Sequence, residues 1–208
     1  MEIKQLREQG YTLLSQLFEQ PSDNLVDTIK STPYKEYWQR IEEIYGISIP
    51  HSWQAENLPQ LSQLLQMWAV TMGPVKPLAE PIESLYKQWT IDPSCEMTFA
   101  RQKGWLRGDW ACHMEEILKD LGFEVPQQFN HCPDHIILIF ELMGAMVENA
   151  PYEVQHQFAS QHLDWLDDLI ETAIERKAPT EYVELYKLCK DFVEADKLYL
   201  AKQQNKIQ

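Results

Sequence analysis

The stretch Asn130-His131-Cys132-Pro133-Asp134-His135-Ile136-Ile137-Leu138-Ile139-Phe140-Glu141-Leu142-Met143-Gly144 sets two histidines, a thiol and a carboxylate directly against the most apolar segment of the chain. Proline at the first position of a helix costs no hydrogen bond, because the donor it lacks would be unpaired there in any case. The sequence therefore predicts a helix opened by Pro133, with Asp134 in its first turn, where the helix dipole favours a carboxylate. Beyond this polar lip, Ile136, Ile137, Ile139, Phe140, Met143, Met146 and Val147 cover nearly the whole circumference, the pattern of a helix buried on several sides. A helix buried in this way needs other helices around it.

Those helices are legible on the N-terminal side. Ile3, Leu6, Leu13, Leu14, Leu17 and Phe18 recur at helical spacing until Pro21 stops the run. Asn24 is the expected cap of a short helix, and Thr32-Pro33 opens another whose Tyr34, Trp38, Ile41, Ile44 and Tyr45 share a face before Gly46 closes it. Leu58-Pro59 begins a further helix with Leu61, Leu64, Leu65, Trp68 and Met72 inward and Gly73 at its end. Gly73 to Pro81 holds three prolines and reads as a stiff connection, either a plain linker or one wall of a groove. Thr90 to Gly108 reads as helix interrupted by Gly104 and Gly108, after which Asp109 caps a clean stripe of Trp110, Met114, Ile117, Leu118 and Leu121 ending at Gly122.

On the C-terminal side, Tyr152 to about Lys177 reads as one long helix, with Phe158, Trp165, Leu166 and Leu169 inward and Asp164, Asp167 and Asp168 outward. Thr180 caps a last helix, followed by a polar tail from Lys202. No strand pattern and no internal repeat is seen. The expected fold is all-α, a bundle of about ten helices forming a single domain over residues 1–208. The polar loop Phe123 to Asn130 separates a half of about 1–122 from a half of about 131–208 and is the candidate hinge.

Composition limits what such a bundle can do. Lys plus Arg number 18 against 32 Asp plus Glu, a net charge of −14, so nucleic acid and anionic lipid are repelled and basic peptides attracted. The four cysteines stand far apart with no Cys-x-x-Cys pair, which points to a reduced, cytoplasmic protein. The N-terminal residues carry no secretion signal pattern, and the apolar run from Ile136 to Val147 is too short to span a bilayer, so no membrane insertion is expected.

The ligand-like residues admit more than one chemistry. His131, Cys132 and His135, with Asp134, are competent metal ligands, and a metal-binding helical enzyme is the alternative they raise. Zinc ligands, however, usually converge from two separated segments, and His113 and His162 are remote candidates that the sequence places nowhere in particular. A Cys132 nucleophile would want an oxyanion hole from a Gly-rich turn that this sequence lacks. None of its seven glycines forms a phosphate-cradling pattern. What remains is an acidic helical protein suited to holding a peptide, with no catalytic residue and no metal or other cofactor expected.

Pro133-Asp134-His135-Ile136 followed by Glu141-Leu142-Met143 resembles the signature of the TorD/DmsD family of cytoplasmic maturation chaperones, Glu-Pro-x-Asp-His ahead of an apolar helix. Gly73-Pro74 with Glu83-Ser84-Leu85-Tyr86, Leu121-Gly122-Phe123, and Phe158 with His162-Leu163-Asp164-Trp165 are similar to other family motifs in the same order. The departure is that His131-Cys132 stands where the family has Glu-Pro. The resemblance implies an all-helical, non-enzymatic chaperone. Its partners would be the twin-arginine signal peptide and the apoenzyme of a molybdoenzyme reductase, of the trimethylamine N-oxide or dimethyl sulfoxide type. It would assist cofactor insertion and proofread before export. It further implies weak guanine-nucleotide binding, for which no residue argues, and a homodimer made by exchanging halves. On this reading Asp134 contacts the basic part of the peptide directly, Pro133, His135 and Glu83 shape the lip, and Trp68, Tyr86 and Trp89 supply apolar wall.

Overall fold

A computed structural model describes residues 2–207, and the side chains of residues 2–205. Nine helices of two turns or more and a single-turn one make up the fold among them: α1 (Ile3–Phe18), α2 (Asp23–Lys30), α3 (Thr32–Tyr45), α4 (Leu61–Met72), the one-turn α5 (Glu83–Tyr86), α6 (Asp109–Asp120), α7 (Ile136–Asn149), α8 (Tyr152–His162), α9 (Leu166–Glu175) and α10 (Thr180–Ile207). The fold is all-α, as the helical periods require. The one strand-like pairing among the described residues is an isolated antiparallel bridge between Ile82 and His135.

At the centre lies α7, ten of whose fourteen residues are buried. It packs chiefly along α1, while α10 packs against α8 and α9. Aromatic rings join these layers: Phe18 stacks on Tyr186 with centroids 5.8 Å apart, and Tyr11 meets Phe192 edge-on at 5.2 Å. A buried ion pair ties α1 to α10. Arg7 Nε lies 2.5 Å from Asp196 Oδ1, Tyr11 donates its hydroxyl to Asp196 Oδ2 at 2.8 Å, and Arg7 also donates to Gln155 on α8. An unpaired charge there would be costly, so three helices are fixed in register by one guanidinium.

Several boundaries differ from the sequence expectation, each for a local reason. The central helix begins at Ile136, not at Pro133, because His135 is its N-cap and accepts the Ile137 N–H on Nδ1 at 3.2 Å. Pro133 and Asp134 are thereby left in the turn outside the helix. Ser22, not Asn24, caps α2 by accepting the Leu25 N–H, and α4 starts at Leu61 behind a Gln60–Gln63 capping box. The expected single helix over 152–177 is two. The Trp165 indole N–H donates to the His162 carbonyl at 2.7 Å, which satisfies the end of α8 before α9 begins at Leu166. The helix expected within 90–108 is a loop closed on itself. Trp89 and Thr90 donate their N–H groups to Gln102 and Ala100, and Asp109, the first residue of α6 and not its cap, accepts from the Thr90 hydroxyl and the Ile91 N–H. At the C-terminal end, α10 continues through the residues expected to form a polar tail.

Candidate functional site: an acid-rimmed cleft beside the 81–87 and 133–136 junction

Two segments far apart in sequence meet ahead of α7. The Ile136 N–H donates to the Pro81 carbonyl at 2.9 Å, the Glu83 N–H donates to the Asp134 carbonyl at 3.1 Å, and the Ser84 N–H donates to Asp134 Oδ2 at 2.7 Å. Asp134 therefore holds the first turn of α5 with both its backbone and its side chain. It is 0 % exposed, and burial raises its carboxyl above the usual range while the Ser84 contacts pull it back.

Against one side of this junction opens a cleft of about 570 Å³. Phe18, Trp68, Met72 and Phe129 give it apolar wall, and Gln20, Gln128, Glu19 and Glu80 stand among its polar lining. The Trp68 indole N–H donates to the Phe18 carbonyl at 3.2 Å, which fixes the end of α1 against α4. His135 lines the same cleft; its ring packs on Phe129 with centroids 4.9 Å apart, and burial pushes its pKa down to about 3, so it is a neutral imidazole there. Burial raises Glu80, and burial with the neighbouring charge of Glu19 raises Glu141 on α7. Of these two acids, Glu80 lines the cleft, where a nearby cation would favour its charged form. A second cleft, of about 540 Å³, adjoins through Glu80 and is lined by Tyr86, Lys103, Asp168, Glu171, Glu175 and Arg176 among others.

The structure thus brings Trp68 and His135 together and sets Tyr86 in the neighbouring cleft, but it corrects how the other expected residues act. Asp134 is enclosed and cannot touch a peptide directly while the junction is closed; its Oδ2 accepts the Ser84 N–H. Pro133 is buried in the turn, and Glu83 is 0 % exposed. Tyr86 is also mostly enclosed, stacked on Trp165 with centroids 5.3 Å apart. Trp89 belongs to the 87–108 loop, where it packs on Phe99 and donates to the Leu106 carbonyl. The metal alternative loses its geometry. Among the described residues no three His, Cys, Asp or Glu side chains converge to hold an ion, and His131 points to solvent while His135 is engaged as a cap.

Sequence reasoning missed Glu19 and Glu80, which sit at a helix end and in a Pro-rich loop where an acid carries no signal of its own. It also left His113 and His162 without a place. His162 Nδ1 lies 2.8 Å from Glu83 Oε2, and its Nε2 lies 3.0 Å from His113 Nδ1. Lys87 joins this cluster, 2.9 Å from Glu83 Oε1, 2.6 Å from Asp164 and 3.6 Å above the Trp110 ring centroid.

Among the described residues the fold is all-helical and carries a cleft in which apolar wall and acidic side chains meet. A family model described as nitrate reductase delta subunit matches residues 30–176, and the chain belongs to that family, the TorD-like chaperones of molybdoenzyme maturation. The family is one of chaperones rather than of catalysts. No curated protein matches the chain. The match spans α3 to the end of α9 and so includes the junction and the cleft walls on α4 and α7, while α1 with its C-cap, which supply Phe18 and Glu19, precede it.

Proposed function

We propose that this protein is a cytoplasmic chaperone that holds the twin-arginine signal peptide and the apoenzyme of a molybdoenzyme reductase, of the trimethylamine N-oxide or dimethyl sulfoxide type, until the cofactor is in place. One observation carries the reading: Trp68 on α4 and His135 at the N-cap of α7 line one cleft in which apolar wall meets Glu19 and Glu80. A twin-arginine leader joins a basic pair to an apolar stretch, and a guanidinium takes a carboxylate in two-point contact that an ammonium does not. The net charge of −14 favours the encounter at longer range. All four cysteines are free, in keeping with a reduced compartment. No helix of the described residues is long and apolar enough to cross a membrane.

In this reading Asp134 and Glu83 position the cleft wall and Trp68, His135, Glu19 and Glu80 meet the peptide. The test is a titration of the purified protein with a twin-arginine leader and a twin-lysine control at low and high salt. The arginine peptide should bind more tightly, with an affinity that falls as salt rises. Glu19→Gln with Glu80→Gln should raise Kd by about two- to thirty-fold, the range of two partly exposed charge contacts. Equal binding of both peptides, or binding indifferent to both glutamates, would remove the reading. Exchange of halves through 123–130 would add a dimer of the same chain, read by light scattering on a sizing column.

A further inference from the structure

We infer that His113, His162 and Glu83 form a proton relay that carries the protonation of an exposed imidazole on α6 into the buried junction between residues 81–87 and 133–136. The relay is a property of the fold; only its bearing on a client rests on the function proposed above.

The contacts and the charge state of Glu83 together set the hydrogens. With Glu83 ionised, its Oε2 accepts, so His162 Nδ1 must be the donor in the 2.8 Å contact. A neutral His162 then accepts on Nε2, and His113 Nδ1 must donate across the 3.0 Å contact between the rings. That leaves His113 Nε2 as the free lone pair of the chain. His113 is exposed and lines the apolar groove between α6, α7 and α8, whereas His162 and Glu83 are both 0 % exposed. The row therefore runs from solvent to a carboxylate that solvent does not reach.

A proton added at His113 Nε2 balances as follows. His113 passes its Nδ1 hydrogen to His162 Nε2, and His162 passes its Nδ1 hydrogen to Glu83 Oε2. Both imidazoles end neutral with hydrogen on Nε2, Glu83 ends as a carboxyl donating to His162 Nδ1, and each heavy-atom contact is kept. One proton is gained and one negative charge is lost, at the far end from where the proton entered. The end state is favoured by burial, which raises Glu83 well above the ordinary carboxylate range, and by the same burial of His162, which lowers its pKa to about 4 and denies it a lasting charge.

The charged and titratable groups facing the relay come from every element around it. Lys87 follows α5, Glu116 lies on α6 beside His113, Asp134 precedes α7, and Asp164 follows α8. When Glu83 becomes neutral, Lys87 keeps Asp164, the Gln161 carbonyl and the Trp110 ring, and its hold on α5 is released. The change is felt at the junction because the Glu83 and Ser84 N–H groups both donate to Asp134, and Ile82 is bridged to His135.

The test follows histidine ring nitrogens and the Ser84 and Ile136 amides by NMR on the isotope-labelled full chain, from about pH 8 to about pH 4.5, a span enclosing ordinary histidine and upper carboxylate values. Both rings should carry hydrogen on Nδ1 at the alkaline end and switch to Nε2 in one step, with the two amides moving in that step. Glu83→Gln should abolish the tautomer switch and the amide step. His113→Phe, at an exposed position that the helix tolerates, should slow the step so that single averaged peaks split into two sets. The relay is overturned if His113 titrates alone with His162 unchanged, or if His113→Phe leaves the step at its original rate. Leader binding measured across the same pH range separates the second claim: an intact relay with pH-independent binding would leave the relay standing and detach it from the client.

Discussion

The carboxylate of Asp134 accepts the backbone N–H of Ser84 at 2.7 Å across fifty residues of sequence, and in doing so it fixes the first turn of α5 to the approach of α7. Removing the acceptor leaves a buried N–H unsatisfied, at a cost of about 1–3 kcal/mol. Asp134→Ala should lower stability by that amount in urea unfolding and weaken leader binding through the loosened wall. Asp134→Asn keeps an acceptor for Ser84 and should recover most of the stability. A loss of binding as large in Asn as in Ala would mean that the charge itself meets the peptide.

Arg7 and Asp196 make the stronger structural claim. Both are nearly fully buried, and Tyr11 and Gln155 complete their contacts. Deleting one partner leaves the other charge without compensation, so Asp196→Ala should cost about 3–5 kcal/mol. Chemical denaturation would show this as a shift of midpoint with little change of slope, and α1, α8 and α10 should lose protection from amide exchange together.

The pH dependence of stability contains two opposed contributions. The folded pKa of His162 is lowered from 6.5 to about 4, so its contribution is fully present above 6.5 and is lost as pH falls toward 4, roughly 3 kcal/mol in all. Glu83 and Asp134 have raised folded values, and their contributions run the other way: present below the ordinary carboxylate range and lost as pH rises through the raised values. Glu83→Gln removes one of the offsetting groups. Between pH 7 and pH 4.5, taken as about the histidine-to-carboxylate interval, the urea midpoint should therefore fall more steeply in Glu83→Gln than in the parent protein. Parallel slopes would contradict the assignment.

Two glycines in helices should respond oppositely to alanine. A Cβ at Gly10 would overlap the Phe192 ring and the Tyr37 hydroxyl, whereas one at Gly144 would meet its nearest neighbours at 3.7 Å, an ordinary contact. Gly10→Ala should destabilise by about 1–3 kcal/mol through overpacking. Gly144→Ala should gain up to about 1 kcal/mol from helix propensity. Thermal melting of the two variants beside the parent gives the comparison directly.

The helical period of the apolar residues is a property of neighbours along the chain, and it was sufficient for the all-α class, for most helices and for the burial of α7. The same local logic failed where a side chain from elsewhere set the boundary, as with the Trp165 indole that ends α8 and the Asp109 carboxylate that gathers the 90–91 backbone into a loop. The motif Pro133-Asp134-His135 was legible as the centre of the candidate site and as a family resemblance. Its orientation was not, because whether a carboxylate faces solvent or a backbone N–H fifty residues away depends on which chain segment arrives beside it.

The cleft shows the division most plainly. Sequence alone determined the supply: an acidic chain, helices with one apolar face, and a polar turn ahead of a helix that had to be buried. Only the tertiary structure decided which acids and aromatics share a cleft, placing Glu19 and Glu80 beside Trp68 and His135, and which histidines touch, placing His113 and His162 in line with Glu83. The reason is physical. Periodicity and capping are fixed by contacts within a few residues, whereas the convergence of charges is fixed by the packing of whole helices, and no short window of sequence contains both partners.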